Sequence, residues 1–247
     1  MLAPPTVDTL LQGFSVTSDQ GSIGFCGVYL ISAGSHRILF DCGHTGRRRA
    51  LLSALTARRL RPADIDALVL SHTHWDHIQN ADLFTTSDLL VHPAEMDYLA
   101  RRPVDDPVTP PWSVTIVEQL KISATSDGME IAPGVTVTDL PGHTAGSIGL
   151  TVQTPDGAAM LTGDAVSSAR ALRTGRCTAV HAGEEAASRS LQRVRSGARF
   201  VFPGHDCPFA VRDGVPAEYL MPRAVLCTDG ASDPPTAEGS RNHDHNL

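Results

Sequence analysis

At 247 residues, with 41% hydrophobic and 19% charged residues, the chain is long enough to bury one sizeable core and lies outside the disordered and membrane-spanning classes. Its formal net charge of -7 supplies no global field for nucleic acid or anionic lipid, so both are disfavoured as partners, although a local cluster such as Arg47, Arg48 and Arg49 could still matter. Met1 to Phe14 holds no basic stretch followed by an apolar run, and the five cysteines (Cys26, Cys42, Cys177, Cys207, Cys227) are odd in number and scattered, which together point to a reduced, cytoplasmic setting without a disulfide framework.

In chain order, apolar runs from Thr6 to Val16, Gly27 to Ser32 and Arg37 to Phe40 are broken by Gly, Ser and Asp, as in antiparallel strands joined by tight turns. From Arg47 to Leu60 the period changes. Ala50, Leu51, Ala54, Leu55 and Arg58 recur at three- and four-residue intervals, which predicts a helix with one apolar face. A strand from Ala67 to Leu70 then delivers the chain into Ser71 and a histidine run. Arg101 to Trp112 contains Pro103, Pro107, Pro110 and Pro111 and is expected to be a surface loop. Strand pairs follow over Glu130 to Leu140, turning at Pro133 and Gly134, and over Gly146 to Thr162, turning at Pro155, Asp156 and Gly157. A helix over Glu184 to Val194 and a strand over Phe200 to Phe202 complete a domain at 1–227, leaving 228–247 as a loose tail.

The chemistry concentrates at His72, Thr73, His74, Trp75, Asp76 and His77. Imidazole and carboxylate are ligands suited to zinc, and four of them within six residues form a dense set. If the strand continued from Leu70, His72, His74 and Asp76 would share one face; a turn at Trp75 would instead fan Asp76 and His77 toward a neighbouring ion. Three later positions repeat a pattern of strand end, glycine and ligand: Gly142 with His143, Gly163 with Asp164, and Gly204 with His205. Glycine there lets the backbone bend so that the next side chain reaches inward.

This set of residues resembles the metallo-β-lactamase superfamily over nearly the whole chain, from Leu39, Phe40 and Asp41 to Gly204 and His205. The resemblance implies an α/β fold, a four-layer αββα sandwich of two mixed β-sheets flanked by helices, with a dinuclear site along one edge. By the same resemblance His72, His74 and His143 hold a first metal, Asp76, His77 and His205 a second, Asp164 bridges them, and Asp41 orients the histidine loop. The implied cofactors are two zinc ions, with iron or manganese as alternatives. Two such ions sharing a water lower its pKa toward about 7 and supply a hydroxide nucleophile, and Asp76 is the candidate to orient it or pass a proton to the leaving group.

Departures from the family pattern narrow the activity. The β-lactamases proper lack the bridging Asp and some place Cys at a metal position, whereas here Asp164 is present and no Cys sits in a ligand context. The diiron flavoproteins carry an acid where His74 stands. A one-iron dioxygenase related to glyoxalase II stays open. Pro141 to Ser147 and Gly204, His205, Asp206 resemble the glyoxalase II and lactonase branches, so an ester, thioester or lactone ranks first, although Ala165, Val166, Ser167 and Ser168 replace the Tyr typical of the quorum-signal lactonases. Phosphodiester cleavage ranks second. Arg170, Arg173 and Arg176 could meet an anionic substrate, against the commoner case of a solvated surface arginine. A binding module with a purely structural metal fits poorly, because structural zinc sites are closed, four-coordinate and single. Trp75 is expected as core or pocket wall. His92 and His181 could be extra ligands but are expected to be hydrogen-bonded or surface residues, the tail residues His243, Asp244 and His245 are outside the site, and Arg101 to Trp112 and Ser167 to Gly183 are expected to shape the pocket.

Overall fold

The computed structural model describes residues 3–101, 106–118 and 120–225; the expected tail, with His243, Asp244 and His245, lies outside them. β1 (Thr6–Leu11) is followed by a hairpin, β2 (Phe14–Ser18) and β3 (Gly21–Phe25), that pairs only with itself, and then by β4 (Val28–Ala33) and β5 (His36–Phe40). Helix α1 (Arg48–Ala57) buries Leu51 and Leu55 and leaves Ala50 exposed, a narrower apolar stripe than the spacing predicts. Then come β6 (Ala67–Val69), a single helical turn α2 (Trp75–Ile78), β7 (Asp88–Val91), α3 (Pro93–Arg101), α4 (Ser113–Val117) and β8 (Lys121–Ala124). The second half runs β9 (Glu130–Ala132), β10 (Val135–Asp139), β11 (Ile148–Thr154), β12 (Gly157–Gly163), α5 (Ala169–Thr174), α6 (Glu184–Gly197), β13 (Phe200–Pro203), β14 (Phe209–Arg212) and β15 (Val215–Tyr219).

Two mixed sheets result, ordered β1-β4-β5-β6-β7-β8 and β15-β14-β13-β12-β11-β10-β9. Wherever a helix intervenes, the strands it joins pair in parallel, as β5 with β6, β7 with β8 and β12 with β13. Between the sheets, Tyr29, Ile31, Phe40 and Val69 from one pack against Val137, Ile148, Leu150 and Phe202 from the other. A second apolar layer joins α1, α3 and α4 to the outer face of the first sheet through Leu51, Leu55, Leu68, Leu99 and Val117. A third joins α5 and α6 to the outer face of the second through Leu172, Leu191, Val194, Met160 and Val201. Helices therefore cover both outer faces, the expected αββα order.

On its described residues the surface-loop expectation for Arg101 to Trp112 holds in part, with Arg101, Pro107, Pro111 and Trp112 exposed. Asp106 and Thr109 are buried, because the Asp106 carboxylate has a histidine to hold inside. Cys26, Cys42, Cys177 and Cys207 are free thiols. Among the described residues no helix is long and apolar enough to cross a membrane.

Candidate metal centre

The ends of β5, β6, β10, β12 and β13 meet along one edge of the two sheets, and each carries one of the singled-out residues into a loop there. The strand before the histidine run stops at Val69, and α2 starts at Trp75. His72 and His74 therefore project from a loop and Asp76 and His77 from one helical turn, so the strand-continuation alternative is excluded. Asp41 holds this shape. Its carboxylate accepts from Ser71 N and Ser71 Oγ at 2.8 Å each and from His77 Nδ1 at 2.8 Å. Asp41 itself sits at φ 57°, a left-handed conformation that Asp tolerates better than most residues.

The glycine pattern has two physical causes. Gly142 and Gly163 have φ of 136° and 48°, whereas Gly204 is needed for space, since a Cβ there would lie 1.9 Å from Asp164 Oδ1.

All seven singled-out ligands converge. His72, His74 and His143 form one group that could hold a metal ion; His72, His77 and Asp164 form another, and Asp76, His77 and His205 a third. Asp164 faces both sides, with Oδ2 3.6 Å from His143 Nε2 and 3.1 Å from His205 Nε2, and Oδ1 3.5 Å from His77 Nε2.

The outward nitrogens of the histidines show why a cation fits. His143 Nδ1 donates to the carbonyl of Ala179 at 2.7 Å, His74 Nε2 to Asp106 at 2.9 Å, and His72 Nδ1 to Ser71 Oγ at 2.9 Å. With one nitrogen of each ring held outward, the other is turned inward toward its neighbours. His74 Nδ1 and His143 Nε2 meet inside at 3.0 Å, close enough for both to face one cation. His72 Nε2, His77 Nε2, Asp76 Oδ2 and Asp164 Oδ1 are buried without a hydrogen-bond partner. Buried polar atoms are rarely left so, and here they point at one another.

Protonation follows the same division. Burial, reinforced by the other histidines, pushes His72 well below the usual imidazole range, and burial lowers His143 to about 4 against the opposing pull of Asp164. Burial would raise the Asp164 carboxyl, but His205, His77 and His143 outweigh it and hold it well below the usual carboxylate range. Burial also opposes charge on His77 and His205; Cys26, Asp41, Asp76 and Asp164 around the first, and Asp164 and Asp76 beside the second, nevertheless raise both. A divalent ion would take over the neutralising role of those protons and release them.

Four contributors escape the sequence reading. Asp106 supports His74 while also accepting from Tyr98 Oη at 2.6 Å and Thr109 Oγ1 at 2.7 Å. Glu95, fully buried on α3, accepts from Thr73 N, Thr73 Oγ1, Thr144 Oγ1 and Gly146 N, and so ties the loop of His72 to that of His143. His181, expected as an isolated structural or surface histidine, lies with its ring centre 5.7 Å from that of His74 and 5.9 Å from that of His143. Cys26 corrects the expectation that no cysteine has a ligand context: it is buried beside Asp41 and His77, brought there by the crossing of the chain between β3 and β4. No spacing rule could flag any of them. Asp106→Asn is expected to weaken metal binding about 10- to 100-fold by releasing His74, checked by competition with a chromogenic chelator.

The β2–β3 hairpin closes the second side. A Cβ on Gly24 would lie 2.6 Å from His205 Cε1 and 2.7 Å from Asp76 Oδ2, so only glycine lets the hairpin lie this close. Phe14 stacks on Phe25 at 4.4 Å, Phe25 meets His44 at 4.9 Å, and His44 meets Trp75 at 5.3 Å, which accounts for Trp75 as packing. His92 bonds Ala94 N locally, as expected of a structural histidine.

Beside Asp164 and His205 opens a cavity of about 490 Å³, walled by Gln12 to Ser15 before and in β2 and by Ser167 to Arg173. The stretch after Asp164 thus shapes the pocket as expected, whereas the described part of the Arg101 to Trp112 loop does not line it. Arg170 and Arg173 line it and Arg176 does not.

The family model described as "Metallo-beta-lactamase superfamily" matches residues 22–205, a span running from the hairpin to the last ligand candidate. The chain belongs to the metallo-beta-lactamase superfamily. Among curated members, metallo-beta-lactamase domain-containing protein 1 of Mus musculus is 30% identical over 202 residues, covering 81% of this chain and 69% of that protein. Its Xenopus laevis counterpart is 29% identical over 89 residues, 36% of this chain and only 38% of the relative's length. A Thermotoga maritima protein solved as a candidate metallo-beta-lactamase is 20% identical with a TM-score of 0.68, covering 84% of this chain and 99% of the other. An N-acyl homoserine lactone hydrolase, solved with its product at the catalytic metal centre, is 18% identical with a TM-score of 0.66 over 83% of this chain and 94% of the other. At those identities the solved structures show the superfamily fold. The chain thus combines membership of this superfamily with converging His and Asp side chains that could hold a divalent metal ion.

Proposed function

We propose that the chain is a dinuclear, zinc-dependent hydrolase that cleaves an ester, thioester or lactone of a small molecule. The observation that carries this reading is Asp164, whose two carboxylate oxygens face the His72, His74, His143 group on one side and His77 with His205 on the other. Divalent ions held by these residues would supply Lewis acidity, activating water near neutral pH and polarising the scissile carbonyl.

The protein's own part is positioning. Asp41, Ser71, Asp106 and the Ala179 carbonyl lock the rings that would hold the ions, so little rearrangement is needed on binding. Asp76 Oδ2, 3.4 Å from His205 Nε2, is placed to orient a nucleophile or hand a proton to the leaving group. The hairpin is seated on Asp76 and His205 at Gly24, which lets its backbone form the wall on that side. The lactone arm is further supported by the lactone-hydrolase neighbour, whose fold this chain shares.

Metal analysis of the native protein is expected to find two zinc ions per chain. A panel of a thioester, a lactone, an aryl ester and a bis-aryl phosphate is expected to show turnover of the acyl compounds ahead of the phosphate. One ion or none would refute the dinuclear reading, and a clear phosphate preference would move the activity to phosphodiester cleavage. Chelation is expected to abolish turnover and, by removing two ions, to lower stability by about 5–8 kcal/mol where free zinc had stood at 100 to 1,000 times the dissociation constant of each site, read from thermal unfolding with and without chelator.

A further inference from the structure

Arg170 and Arg173 lie three residues apart on α5, a spacing that makes them neighbours on the helix, and both line the cavity beside Asp164 and His205. Like charges at that spacing repel. Among the described residues neither guanidinium has an acidic or hydrogen-bonding partner; Arg173 contributes only its backbone carbonyl, to Arg195. Among the described residues some exposed arginines are paired, as Arg193 with Asp127 at 2.8 Å and Arg212 with Glu218 at 2.6 Å, and others such as Arg49, Arg59 and Arg176 are not; what sets Arg170 and Arg173 apart is that both line the cavity beside Asp164 and His205.

Arg223 joins them on the same wall, above the Tyr219 ring at 5.3 Å. The carboxylates that face this cavity are Asp164, which belongs to the ligand set, and Asp206. Asp206 is taken up inside the fold. It accepts from Ala169 N at 3.1 Å, Cys207 N at 2.8 Å and Tyr219 Oη at 3.2 Å, and its nearest approach to Arg223 is 3.8 Å. Three cations thus line this cavity in a protein of net charge -7, of which Arg223 forms a long ion pair with Asp206 and Arg170 and Arg173 have no acidic partner among the described residues.

We propose that Arg170 and Arg173, with Arg223, bind an anionic group of the substrate, a carboxylate or a phosphate remote from the bond that breaks, so that the substrate class is an anionic ester, thioester or lactone. This rests on the acyl-hydrolase reading above. The cavity of about 490 Å³ suits a small molecule, and planar guanidinium forks match the geometry of either anion.

The test uses the zinc-loaded full chain as wild type, as the Arg170→Ala, Arg173→Ala double variant and as the Arg170→Lys, Arg173→Lys variant. The first measurement compares a neutral aryl ester, 4-nitrophenyl butyrate, with its anionic counterpart, mono-4-nitrophenyl glutarate. The ratio of kcat/KM, anionic over neutral, is expected to fall about tenfold in the Ala variant and to recover in large part in the Lys variant. The second measures binding of unreactive glutarate and of methylphosphonate by calorimetry, with about tenfold weaker binding expected in the Ala variant for the preferred anion; which is preferred tells carboxylate from phosphate. An unchanged ratio together with unchanged anion binding overturns the proposal. If only a bis-aryl phosphate is turned over, the acyl reading falls, and the anion site then stands or falls on the calorimetry alone.

Discussion

Asp164→Asn is expected to cut hydrolase activity by about a thousandfold and to leave the protein short of its full metal content, with the fold intact. The exchange keeps shape and volume and removes one negative charge from a point where three imidazole nitrogens lie within 3.6 Å of the carboxylate. An amide presents one oxygen in place of two: because Oδ2 faces both His143 and His205 and Oδ1 faces His77, an NH2 then points either at His77 or at the His143 and His205 pair, and the charge at that point is lost in both orientations. Losing a single well-placed stabiliser of developing charge commonly costs a hundred- to a thousandfold, and here the loss reaches nucleophile and electrophile together. Zinc content by atomic emission and kcat/KM on the best acyl substrate check it. A variant keeping two zinc ions and a tenth of the activity would show that Asp164 is not the bridging ligand. Gly204→Ala is expected to follow it, since the added Cβ would lie 1.9 Å from Asp164 Oδ1 and must displace that side chain or the loop.

Glu95→Ala is expected to destabilise the protein by about 3–5 kcal/mol, chiefly by unfastening two loops at once. Its buried carboxylate receives Thr73 N at 2.8 Å, Thr73 Oγ1 at 2.9 Å, Thr144 Oγ1 at 2.7 Å and Gly146 N at 3.1 Å. Two of those donors are backbone N–H groups that would be left buried and unpaired, each costing about 1–3 kcal/mol. Because Thr73 lies between His72 and His74 and Thr144 follows His143, the same change is expected to loosen the candidate first metal position. Urea unfolding of the metal-free protein isolates the structural loss, and zinc titration then reads the effect on the site. A loss below about 1 kcal/mol would show that water replaces the carboxylate without strain.

Much of this protein was open to local reasoning. The strand pair turning at Pro133 and Gly134, the pair turning at Pro155 to Gly157, and the helix beginning at Glu184 all stand in the structure, since each depends on turn chemistry and periodicity within a few residues. The residues His72, His74, Asp76, His77, His143, Asp164 and His205 were legible too. Their types are those that bind metal, and they follow a dense run and three glycines, both visible without any fold.

Tertiary structure decided what those residues meet. The break at Val69 and the turn at Trp75 depend on Asp41 gripping Ser71 from β5, a contact across 30 positions of sequence. Asp106, Glu95, His181 and Cys26 carry no motif, because their partners are side chains distant in sequence and only packing brings them near. Arg170 and Arg173 read as two more surface charges until α5 sets them on the wall of the cavity that Asp164 and His205 share. Local sequence determined the ligand types and most of the elements that carry them; long-range packing determined which nitrogen of each ring faces inward, since that depends on the partner each outward nitrogen finds.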